Sequence, residues 1–201
     1  MAITARARQS LIDYERAIAE TDSSAFLVSP RIIRRVIRHE RQLTGIVFAP
    51  PHCDSYVVRR AVLLQYVDDE ELGLDAQRNL PDRVILLARP PVDRAAETRE
   101  RTLLRLWRQL FHARVDAAYA TVVDRGALDQ REIRRRIDEI GQIPFDEVRA
   151  VLRHEDRLLP PVNDRAVYTE FAALFLELRN FVPHMVSRYF PTIEDAERVE
   201  A

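Results

Sequence analysis

Residues 34–43 read RRVIRHERQL, and 115 positions further on residues 149–158 read RAVLRHEDRL, with six of the ten positions identical. Turned at about 100° per residue, the first segment and its neighbours put Ile32, Ile33, Val36, Ile37 and Leu43 on one face. Arg34, Arg38 and Arg41 fall on the opposite side. The second segment gathers Phe145, Val148, Val151, Leu152, Leu158 and Leu159 in the same way. Both are amphipathic helices by their spacing. Each wheel also sets a carboxylate in the middle of the apolar stripe, Glu40 in one and Glu155 in the other. His39 lies at the margin of its stripe and His154 nearer the polar side.

Working outward, Ser29 is placed to cap the first helix and Pro30 suits its first turn, which predicts a helix over 30–43 ending at Gly45. Residues 4–20 have modest helical character, and SSAFLVSP (23–30) reads as a stop and restart between the two. GIVF (45–48), SYVV (55–58) and RVILLAR (83–89) are short β-prone runs, with AVLLQYV (61–67) between them reading as helix. Beyond Pro91 a long helix is expected over 94–124, its stripe formed by Leu103, Trp107, Leu110, Phe111, Ala118, Tyr119 and Val122. Asp129 with Glu132 suggests a capping box, and Gly141 ends that helix. A further helix over 145–159 stops at Pro160–Pro161. Asn163 or Asp164 caps the last, whose stripe is Val167, Phe171, Leu174, Phe175 and Leu178, and Pro183 ends or kinks it.

The fold expected is mainly α: a helical bundle with a small β element, two or three short strands, in the first half. Residues 1–92 form an α+β half (helix 30–43 plus short strands) and 93–190 a helical half, the two packing as one domain. Residues 191–201 are acidic, lack an apolar stripe and read as a linker-like tail.

Composition narrows the chemistry. The 31 basic residues are all Arg, a usage that points to a GC-rich coding sequence and a bacterial source. No Walker lysine, kinase strand lysine or Schiff-base lysine is available, and Arg does not replace those amines. Four glycines in 201 residues argue against a Rossmann fold or any Gly-rich phosphate loop. Cys53 is the only cysteine, so no intrachain disulfide forms, and the start MAITARARQS has no apolar signal core. No apolar run approaches the roughly 18 residues of a membrane span. A cytoplasmic protein without membrane partners is expected. HExxH, Glu-x-x-His and GxSxG are absent. The HCD run at 52–54 reads as loop packing, and His112 and His184 as surface or cap residues. No cofactor, metal or catalytic residue is assigned.

Two constellations remain. Glu40 and Glu155 on apolar stripes need partners, because a buried unpaired charge is costly. Arg114, which the wheel of 94–124 sets inside a stripe, is the expected partner in a structural ion pair. Arg31, Arg34, Arg35, Arg38 and Arg41 along one helix, with Arg131, Arg134, Arg135 and Arg136 as a second cluster, are candidates for phosphate contact. Net charge is −1, with 13 Arg against 12 acids up to residue 92 and 18 against 20 beyond it. A solvated, salt-bridged face is therefore the expectation. The leading functional reading is a non-catalytic protein–protein interaction or assembly module, the N-terminal domain of a larger protein, whose partner is another protein or another domain of the same longer chain. The alternatives are a nucleic-acid-binding module using the Arg faces and a hydrolase-like enzyme using Glu40 or Glu155.

Overall fold

The computed structural model describes residues 5–43, 54–72, 80–91 and 98–193 together with Val199, with side chains from Gln9 onward. The chain forms two compact units, residues 1–113 and 114–201. Among the described residues it is mainly helical, with one three-stranded sheet in the first half.

The first unit is built on that sheet. Strands β1 (Ala25–Val28), β2 (Ser55–Arg59) and β3 (Arg83–Ala88) lie in the order β1-β3-β2, with β1 parallel and β2 antiparallel to β3. SYVV and RVILLAR are thus strands as expected, whereas GIVF falls outside the described residues. AFLV, read as part of a stop, is a strand. All four of its residues are buried. A strand covered on both faces shows no polar alternation, which removes the usual sign of a strand from the sequence.

Register sorts the core into two sides. Ala25 and Leu27 stand opposite Ile85 and Leu87, and Val57 opposite Ile85. These residues pack with Ile18 of α1 (Ala5–Thr21) and with Leu106, Leu110 and Ala113 of α5 (Arg99–Asp124). Phe26, Val58, Val84 and Leu86 belong to the alternate positions and are also buried. Helix α2 (Pro30–Glu40) lies against β2 and β3, α3 (Arg60–Tyr66) against α2 and β2, and α4 (Asp69–Leu72) against β1. Asp22 sets the entry to β1: its Oδ1 accepts from the Ser24 backbone N–H at 2.8 Å and from the Ser24 hydroxyl at 2.6 Å.

Helix α5 corrects the expected phase. Its buried residues are Thr102, Leu106, Gln109, Leu110, His112 and Ala113. Trp107 and Ala118, assigned to the stripe, are exposed, and so is Arg114. The helix is apolar on more than one face, and the wheel followed the aromatic side while the sheet takes the aliphatic one. His112, expected at the surface, is buried.

In the second unit α6 (Gln130–Ile140), α7 (Gln142–His154) and α8 (Asp164–Phe181) are followed by a 3-10 turn (Pro183–Met185) and α9 (Val186–Tyr189). The stripe predicted for α8 is buried in full and packs with Ile133, Ile137, Phe145, Val148, Leu152 and Phe190. Asn163 caps α8 by accepting from the Ala166 N–H at 2.9 Å. Asp129 accepts from the Glu132 N–H at 2.8 Å, but the Glu132 carboxylate binds Arg135 and Arg136, so only half of the capping box forms. Gly141 takes φ +99° and passes the chain from α6 into α7 with no loop, a conformation side-chain-bearing residues rarely adopt. Ile193 and Val199, in the stretch read as linker-like, are half-buried against this core.

Candidate functional site

The echoing segments end in the same backbone motif. After α2, Gln42 (φ +51°) donates to His39 O at 3.1 Å and Leu43 to Arg38 O at 2.9 Å. After α7, Asp156 (φ +51°) donates to Arg153 O at 3.1 Å and Arg157 to Leu152 O at 2.9 Å. Both are Schellman closures. They are slipped by one residue relative to the sequence match, so Glu40 is the last helical residue of α2 while Glu155 is the cap of α7.

Both glutamates are consequently half-buried at helix ends instead of centred on a packed face. Glu40 Oε2 accepts from the Tyr56 hydroxyl at 2.6 Å, and Arg41 Nε donates to the same phenol oxygen at 3.4 Å. Burial, then the neighbouring Glu40 charge, pushes the Tyr56 phenol above its ordinary range. Among the described residues the contact shown at Glu40 is with Tyr56, Glu155 is the cap of α7, and Arg114, expected as their partner, is exposed. The wheel extrapolated past the point where each helix stops.

The two arginine clusters differ sharply. On α6, Arg134 pairs with Asp138 at 3.2 Å, Arg135 with Glu132 at 2.7 Å and with Glu139, and Arg136 with Glu132 at 2.7 Å. Hydrogen bonds from Arg135 and then Arg136 pull the Glu132 carboxyl down to about 2. Three of the four arginines in that cluster are thus charge-compensated. On α2, Arg35 is half-buried and pairs with Glu71, whose carboxyl is held below its usual range by that hydrogen bond. Arg31, Arg34, Arg38 and Arg41 are exposed. Among the described residues, Arg31, Arg34 and Arg38 belong to no ion pair. At the edge of this strip the His39 ring stacks on Tyr66, centroids 4.3 Å apart and planes within 8°.

A third surface follows from the phase of α5. Leu104 is 48% and Trp107 42% exposed, with Leu103 and Phe111 half-buried nearby on the helix. Spacing alone had assigned Trp107 to a core. Of the remaining candidates, His52 and Cys53 lie outside the described residues, and His154 and His184 are exposed. No helix among the described residues is long and apolar enough to cross a membrane. No protein-family model, no curated protein and no solved structure matches the chain.

Proposed function

We propose that the chain is a non-catalytic interaction module whose docking face is the outer side of α5. The observation that carries this reading is Trp107, the only tryptophan of the chain, left 42% exposed beside Leu104. Tryptophan is among the residues that dominate interface energies, and apolar side chains grouped at a surface gain free energy when a partner removes them from water. The charge around them selects the partner. At the start of the helix Arg99 and Arg101 are exposed beside one acid, Glu100. The occupant is an amphipathic helix of another protein chain, with apolar anchors and acidic flanks, laid along α5.

A photo-crosslinking residue placed at Leu104 in the source cells identifies that chain, which is then purified and titrated against the parent and against Trp107→Glu. Crosslinking to one protein is expected. The variant should bind it at least about 30-fold more weakly, as loss of an anchor worth about 2 kcal/mol requires. Equal binding by the variant, or crosslinking only to a second copy of this chain, would overturn the reading.

A further inference from the structure

The arginine strip of α2 is a separate surface with a different chemistry. Arg31, Arg34 and Arg38 project from one side of a helix whose other side, Ile32, Ile33, Val36 and Ile37, is anchored in the core. Arg31 and Arg38 are seven positions apart, about 10 Å along the helix axis. Stacked nucleotides advance about 3.4 Å per phosphate along one strand, so the strip spans about three phosphates, one for each arginine. Exposed guanidiniums without an acid partner among the described residues leave their donors available, and the planar fork suits phosphate oxygens. Arg134, Arg135 and Arg136 of α6 supply the contrast, since their own helix already provides acids for them.

We propose that this face binds the backbone of single-stranded nucleic acid. Two features favour a single strand over a duplex. The strip is short and one-sided, matching a strand that tracks along it. The His39–Tyr66 stack at its margin adds an aromatic platform on which a base can lie, which a paired base inside a duplex does not use. The site is on a different helix from the α5 docking face and does not depend on it.

The test is fluorescence anisotropy of labelled oligothymidine and oligouridine with the full chain, salt being stepped from about 50 to about 200 mM. The parent should bind with a log affinity against log salt slope of about −2, at about −0.7 per phosphate contact for three contacts. Changing all three residues (Arg31→Gln, Arg34→Gln, Arg38→Gln) should weaken binding at least about ten-fold at the low-salt end and flatten the slope. Tyr66→Ala should weaken binding at an unchanged slope, because stacking releases no counterions. The α6 pair Arg134→Gln with Arg135→Gln, whose guanidiniums already hold acids of their own helix, should bind as the parent does. If the triple variant melts unlike the parent, Arg34→Gln with Arg38→Gln is read in its place and should lose about two thirds of the slope. No binding by the parent at low salt, parent-like binding by the neutralised variant, or preference for a duplex of the same sequence would overturn the proposal.

Discussion

A carboxylate near the end of a helix is placed by how the helix terminates as much as by its angle on the wheel. Glu40 and Glu155 occupy matched positions in near-identical segments, yet one is helical and the other a cap. The residue that turns left-handed differs between the two segments. In the second segment Asp156 takes φ +51°, and a short polar side chain tolerates that region better than most. Its counterpart in the first segment is Arg41, which stays at φ −88° and passes the turn to Gln42. The one-residue slip of the closure thus coincides with the Arg41/Asp156 difference, which six identities in ten conceal. The Tyr56 contact was not legible either, because nothing local links residue 40 to a strand 16 positions on. Tyr56→Phe removes the donor to a half-buried carboxylate and should destabilise by about 1–3 kcal/mol, measured by urea unfolding. Unchanged unfolding would mean that water serves Glu40 equally well.

Elements were legible where local chemistry and packing agree. The stripe of α8 and the caps Ser29, Asp129 and Asn163 sit where spacing puts them, and so does the stripe of α2 apart from Leu43, which lies beyond the helix end at Glu40 and is half-buried. Helix α5 shows the opposite case: its length was plain, but an apolar residue on every side leaves its phase to the sheet it meets. Ile37 and Leu152 are both fully buried. Replacing either with Ala should cost about 2–5 kcal/mol, and a melt unchanged in either variant would place its stripe outside the core. The exposed network of α6 makes a pH prediction. Glu132 is held at about 2 against an ordinary 4.5. A carboxyl depressed in the folded state adds stability that is present above 4.5 and is lost as pH falls toward 2. Melting temperature at low salt should decline less steeply across that window in Glu132→Gln than in the parent. Identical declines would show that the arginine contacts contribute nothing in solution, the usual fate of exposed pairs.

For the molecule as a whole, a formal charge of −1 hides an uneven surface. Acids accompany the arginines of α6 within one helix, while α2 carries five arginines up to its cap at Arg41 against Glu40 alone. Counting charges by halves of the chain cannot separate these cases, since pairing depends on which residues share a helix face. The same holds for apolar surface, where composition counts Trp107 as core material and only the seating of α5 exposes it. That exposure is directly measurable, because one tryptophan gives one signal. If the outer side of α5 is open, acrylamide should quench Trp107 in the folded protein with a constant about half that of the urea-unfolded chain, in line with its 42% exposure. Leu104→Ala should leave that constant equal or raise it, since Leu104 shares the open side. A docked acidic helix should lower it and shift emission to the blue as the indole leaves water. Quenching near zero in the isolated protein would mean that Trp107 is covered, and the docking face on α5 would fail with it.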